Sequence, residues 1–214
     1  LPFPGKKDEA WRRISLDGVL NTPLEFLAEK RRDLNAVSGI AEREAASYAG
    51  SLFSSPLGSH SQLDPALVQA GVIFRDFADV ERETPELLAE TSGKLISPTE
   101  SKFAAAASAL ADFGVVLHVP AGCKIERPLL ARLGAGRPAN ASFSHSIIKL
   151  QAGASALLVL DFVSETNANS TKNALHIGIL EVILEEGAEL SLVELQRLEP
   201  RRRSTRPSVS SWAA

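Results

Sequence analysis

The sequence predicts a mainly β chain preceded by an α-helical N-terminal domain, and three observations lead there. A Gly-centred pattern of alternating apolar and polar residues occurs three times. From Val115 to about Leu198 the alternation is almost uninterrupted. Before Gly114 the signals are helical instead: Pro and acidic residues at helix starts, Gly at helix ends.

The repeat is clearest in Val182 to Leu195, VILEEGAELSLVEL. Period-2 alternation marks a strand with one buried face, and Gly187 supplies a corner between two short strands. Leu117 to Leu129 (LHVPAGCKIERPL) and Ile148 to Leu160 (IKLQAGASALLVL) align with it on Gly122 and Gly153. The columns match: Val119, Leu150, Leu184; Leu117, Ile148, Val182; the small Cys123, Ala154, Ala188; and Ile125, Ala156, Leu190. A unit of about 30 residues cannot bury its own apolar face, so units must stack. A β-solenoid and an antiparallel sandwich or jelly roll both satisfy this pattern.

Domain boundaries follow: 1–114 mostly helical, 115–198 the β core, and 199–214 a disordered basic and Ser-rich tail. Within the first, Leu1–Arg13 reads as extended and then helical, with Trp11 as an anchor. Thr22-Pro23 opens a helix, and Asp33–Tyr48 is Ala/Glu-rich and helical in character. Gly50–Gln62 reads as a loop. Asp64-Pro65 begins a helix that ends at Gly71, Val72–Phe74 is a strand, and Phe77–Arg82 is helical. Thr84-Pro85 caps the next helix. Ser97-Pro98-Thr99-Glu100 is a capping box for a helix running through Phe103 to Phe113, whose alanines allow close packing on the sheet. Gly134–Asn140 and Glu165–Asn173 are turns in the β region.

Composition narrows the function. The chain has 214 residues, 44% of them hydrophobic, and a formal net charge of -3. This is no global bias toward nucleic acid or an anionic membrane, and no apolar run has the ~18 residues of a membrane span. Cys123 is the only cysteine; it excludes an internal disulfide or a multi-cysteine metal site made by this chain alone. Its small column partners make it a packing residue. His60, His118, His145 and His176 match no metal spacing, and His118 shares an outward register with Lys149 and Ile183. Glu185-Glu186, read as strand neighbours, point to opposite faces and cannot flank one glycosidic bond. Arg201–Arg203 with Arg206 belongs to a solvated tail. No phosphate loop and no nucleophile elbow is present. The expectation is a cytoplasmic protein without catalytic or metal-binding residues. The chain begins at Leu1 and contains no Met, from which an incomplete reading frame lacking its natural start is expected.

Three passages resemble the SufB/SufD family of iron–sulfur cluster assembly proteins. Phe3–Arg13 (FPGKKDEAWRR) is similar to the Pro-x-x-Lys-Asp-Glu-x-Trp opening of SufD. Ser101–Leu130 (SKFAAAASALADFGVVLHVPAGCKIERPLL) is similar to the family's helix, strand and Val-Pro-x-Gly passage. Thr166–Leu184, with VILEEGAELSLVELQRL, is similar to its repeated strands. The resemblance implies a truncated β-helix (solenoid-like) core behind the helical domain. It also implies a non-enzymatic scaffold acting with SufB and the ATPase SufC, of which this chain is an N-terminal fragment. The iron–sulfur cluster would be assembled transiently by the complex, with no cofactor bound by this chain alone. No catalytic or ligand residue carries over. Alternatives from other classes are a β-solenoid carbohydrate-active enzyme and a purely structural β-array.

Overall fold

The computed structural model describes residues 32–33, 42–135, 141–164, 175–198 and 208–213. Its elements are β1 Arg32–Asp33, α1 Glu42–Ala45, β2 Gly50–Ser55, β3 Gly58–Leu63, α2 Pro65–Gln69, β4 Ile73–Asp76, α3 Phe77–Glu83, α4 Pro85–Thr91 and α5 Lys102–Leu110. Six strands follow: β5 Val115–Val119, β6 Leu129–Ala135, β7 Ala141–Leu150, β8 Ser155–Ser164, β9 Leu175–Leu184 and β10 Glu189–Arg197. Ser208–Ala213 form β11.

Two facing sheets hold these strands. The six-stranded sheet runs β1-β3-β2-β6-β8-β10, and the five-stranded sheet runs β11-β9-β7-β5-β4. From β5 onward the chain alternates between them, and neighbours within each sheet are parallel. The predicted columns are the observed registers. Leu117 pairs with Ile148 and Ile148 with Val182; Val119 pairs with Leu150 and Leu150 with Leu184. On the other sheet Ala156 pairs with Leu190. The corners stack too: Gly122 N–H donates to Ala152 O and Gly153 N–H to Glu186 O, both at 2.9 Å. Gly122, Gly153 and Gly187 have φ of 70°, 65° and 68°, a region that costs L-residues about 1–2 kcal/mol.

The expected fold class is corrected in two respects. No helical N-terminal domain is present among the described residues. β2, β3 and β4 precede Gly114 and belong to the same two sheets as the later strands. The β-helix expectation fails as well, because the sheets are mixed: β2 pairs antiparallel with β3, and β4 antiparallel with β5. The cause lies partly in Gly50–Gln62, which composition marks as a loop. Its serines are small enough to bury, and Leu52 and Phe53 supply apolar contacts on opposite faces, so the segment forms a buried hairpin strand.

Other expectations hold locally. Asp64 Oδ1 accepts from Ala66 N–H at 3.0 Å and caps α2, which starts with Pro65. The capping box is misplaced. Ser97 Oγ accepts from Thr99 N–H within a turn, and α5 is capped four residues later, by Ser101 Oγ accepting from Ala104 N–H at 3.0 Å. α5 ends at Leu110, short of Phe113, which bridges to Ser144 instead. The α5 alanines do pack closely, with Phe103, Ala104 and Ala107 against Phe143, Ile177 and Ile179. The tail 199–214 was expected to be disordered, and within it β11 pairs in parallel with β9. The expectations for 1–31, and the Gly/Pro and polar turns at 136–140 and 165–173, lie outside the described residues.

Gly114 sits at a close backbone approach. A Cβ there would stand 2.0 Å from His145 O, so only glycine fits. Its carbonyl accepts from Phe77 N–H at 3.2 Å and its N–H donates to Ser54 Oγ at 3.1 Å. The predicted boundary is thus a point where both sheets meet.

Candidate functional site

Residues singled out by sequence are not brought together. Cys123 is half-buried and packs on the apolar cluster between the sheets, stacked over the fully buried Ala154. His118 keeps its register with Lys149 and Lys149 with Ile183. Burial, with the Lys149 ammonium, pushes its imidazole below the usual histidine range. Its Nδ1 is buried without a hydrogen-bond partner. His60 lies on β3 beside Gln62. Glu185 and Glu186 occupy the corner around Gly187 rather than a strand, and Glu185 Oε2 accepts from Ala152 N–H at 3.1 Å. They serve the stacking of corners. The Arg201–Arg206 run lies outside the described residues. Among the described residues, no group of three or more His, Cys, Asp or Glu side chains is placed to hold a metal ion.

What the sequence reading missed is a set of buried polar clamps. Glu181, on the helix-covered face of β9, is fully buried. Its Oε2 accepts from His145 Nε2 and from Gly93 N–H, each at 2.8 Å. Its Oε1 accepts from Leu95 N–H at 2.9 Å and Ile96 N–H at 3.3 Å. Burial alone would raise the carboxyl pKa. The hydrogen bonds from His145, Leu95, Gly93 and Ile96 outweigh it and hold the group at about 2. This carboxylate ties the turn between α4 and α5 to the sheet, and His145 stacks on Phe77 with ring centroids 5.1 Å apart.

A second clamp spans the sheets. Ser54 on β2 donates to Asp76 Oδ2 at the end of β4, while Asp76 Oδ1 accepts from Ala78 N–H and caps α3. Nearby, His176 Nδ1 and Nε2 lie 3.1 and 3.3 Å from the hydroxyls of Ser142 and Ser144. Burial lowers the His176 pKa to about 4, so the ring is neutral near pH 7. Two serines around an imidazole resemble nucleophile chemistry; here Ser142 and Ser144 are buried, and the half-buried His176 packs against Phe113 and Phe162.

On the outer face of the other sheet, Arg132 Nε donates to Asp161 Oδ2 at 2.7 Å and Nη2 to Glu44 Oε1 at 2.6 Å. Arg197 Nε donates to Asp161 Oδ1 at 2.7 Å. Burial opposes the Asp161 charge, and the two guanidiniums overcome it and lower its pKa. One signal in the sequence pointed to these groups. Each is a lone charge inside an apolar strand: Arg132 in LLARLGA, Asp161 in ALLVLDFV and Glu181 in HIGILEVIL. A charge there must be paired to be buried.

A further exposed feature is the β10 edge. Among the described residues β10 pairs only with β8, and Val193 and Leu195 on β10, with Leu184 at the end of β9, are more than two-fifths exposed. The arrangement as a whole offers stacking surfaces and fixed charge pairs.

Residues 57–130 match the family model described as the SufBD protein N-terminal region. The chain is 29% identical over 160 residues to the iron–sulfur cluster assembly protein SufB of Bacillus subtilis, covering 74% of this chain and 34% of that protein. The resemblance to the SufB/SufD family holds. SufBD family proteins of Staphylococcus haemolyticus and Staphylococcus epidermidis are each 28% identical, with the same shares of each chain covered. The chain thus spans about a third of the length of these curated SufB/SufD-family relatives. No helix among the described residues is long and apolar enough to cross a membrane.

Proposed function

We propose that this chain serves iron–sulfur cluster assembly as a non-enzymatic scaffold, working with SufB-like and SufC-like subunits. One observation carries the reading: similarity to SufB and SufBD family proteins extends over about three-quarters of the chain and includes the matched region at 57–130. The polar residues described above support it. They are spent on holding the turn at 93–96, the two sheets and the strand neighbours together, which is what a rigid platform for partner subunits requires. The cluster is cargo of the assembled complex, and this chain binds none of it alone, with Cys123 as its single thiol. Within the family, Lys7-Asp8-Glu9 with Trp11 favours SufD; the assignment rests on that segment alone. A cytoplasmic setting goes with the proposal.

The test is co-purification of the tagged chain with SufB and SufC. Retention of either partner through washing is the expected result, and no association with folded partners overturns the scaffold reading. Anaerobic reconstitution of the chain alone with iron and sulfide is expected to leave no stable cluster absorbance.

A further inference from the structure

Beside the first turn of α2, a cleft of about 460 Å³ opens between the Ala45–Ala49 segment and the ends of β2 and β3. That is the size of a small-molecule site. Its rim carries one charge of each sign. Arg127 Nη2 donates to Asp64 Oδ2 at 3.1 Å, and both side chains remain more than a third exposed. Its wall combines carbon and hydroxyl. Ala45, Ala49 and Leu63 line it, and so does Ser51. Ser51 is only 6% exposed and pairs in register with Gln62, another lining residue. A hydroxyl lining the cleft can donate to and accept from a ligand.

From this arrangement we infer that the cleft binds a small zwitterion of the short-peptide class. The ligand's carboxylate meets Arg127, its ammonium meets Asp64, a backbone amide meets Ser51, and small aliphatic side chains rest on the alanine wall. The charges select against other ligands. A polyanion drawn to Arg127 meets the Asp64 carboxylate 3.1 Å away, and a polyamine drawn to Asp64 meets the guanidinium. A zwitterion satisfies both. Opening the existing pair is easy because exposed ion pairs are held weakly, and a guanidinium matches a carboxylate in a forked geometry. Asp64 also caps α2 through its other oxygen, so its position is fixed before the ligand arrives.

Trialanine with free termini is the probe, titrated against the chain by calorimetry and by amide chemical shifts. Saturable binding with a Kd of about 1 mM or tighter is expected, with shifts at Ser51, Gln62 and Arg127. N-acetyl-trialanine amide, which lacks both charges, is expected to bind at least tenfold more weakly. Arg127→Gln leaves the fold intact, since its side chain is half exposed, and is expected to weaken trialanine tenfold. Ser51→Ala is expected to weaken the free and blocked peptides alike. No saturation by about 10 mM, equal affinity for the blocked peptide, or unchanged affinity in Arg127→Gln each overturns the inference. None of these outcomes depends on partner subunits, so the scaffold reading stands or falls separately.

Discussion

At one end of the space between the sheets, Leu117, Val119, Ile148, Leu150 and Leu158 are fully buried, in rows set by the corners at Gly122, Gly153 and Gly187. Toward the other end the same strands turn Ser142, Ser144 and Ser146 inward, and Ser54, Asp76 and His176 join them. The apolar end is repetitive, and each column is filled by residues of similar chemistry. The polar end is not, because every hydrogen bond there joins residues that occur once. Burial of carbon tolerates substitution by similar carbon, whereas a buried polar group demands a specific partner. Repetition therefore builds the stack, and unique polar pairs fix how β2, β4 and the helices attach to it.

The largest expected effect tests the polar pairs. Glu181→Ala removes one buried carboxylate and strands the N–H groups of Gly93, Leu95 and Ile96 as well as His145. A loss of about 3–5 kcal/mol is expected in urea unfolding. Glu181→Gln, which keeps an acceptor, should lose less. An effect under about 1 kcal/mol would show that the clamp is dispensable, against the usual cost of stranding buried donors.

In the apolar region, Leu150→Ala should destabilise by about 2–5 kcal/mol, since Leu150 is fully buried between Val119 and Leu184 in its row. Leu184→Ala, at the half-exposed end of the same row, should cost clearly less. Equal losses at the two positions would contradict the stacking argument.

A pH titration separates the two ends. His176 titrates at about 4 when folded, against 6.5 ordinarily. Below pH 6.5 the unfolded chain takes up a proton that the folded chain refuses. Stability should therefore fall as pH drops from 6.5 to 4, by at most about 1.4 kcal/mol per unit. His176→Asn should flatten that window. Glu181 acts lower: its stabilisation is complete above its unfolded value near 4.5 and is lost as pH falls toward 2. Leu150→Ala should leave both slopes unchanged.

The smallest effect belongs to the corners. Gly153→Ala meets nothing within 4 Å, yet its φ is +65°, so a loss of about 1 kcal/mol is expected from backbone strain alone. Gly114→Ala should be far worse, because its Cβ would collide with the His145 carbonyl.

The repeat was readable from residues alone. Apolar alternation and a Gly at a fixed offset are local features, and they located the registers of β5, β7 and β9 and of β8 and β10. So did the Asp64-Pro65 helix start. Gly50–Gln62 was misread because Ser and Gly carry loop statistics wherever they stand, and only β6 alongside makes burying them worthwhile. Ser97 lost the cap to Ser101 because two capping residues four apart compete, and packing of Phe103 and Ala107 on β7 and β9 decides between them. The cleft beside α2 had no signature either: Ser51, Asp64 and Arg127 come together only through β2, β3 and the α2 cap.

By itself, the sequence determined the period of this protein, the face each strand buries, the glycine corners and the family it resembles. These depend on neighbours a few residues away or on one repeated unit. The tertiary structure alone decided that the N-terminal strands enter the same sheets, and that Glu181, Asp76 and Arg132 find their partners. A charge placed inside an apolar strand announces that it needs a partner. Which residue answers is set by distances across the fold that no local pattern contains.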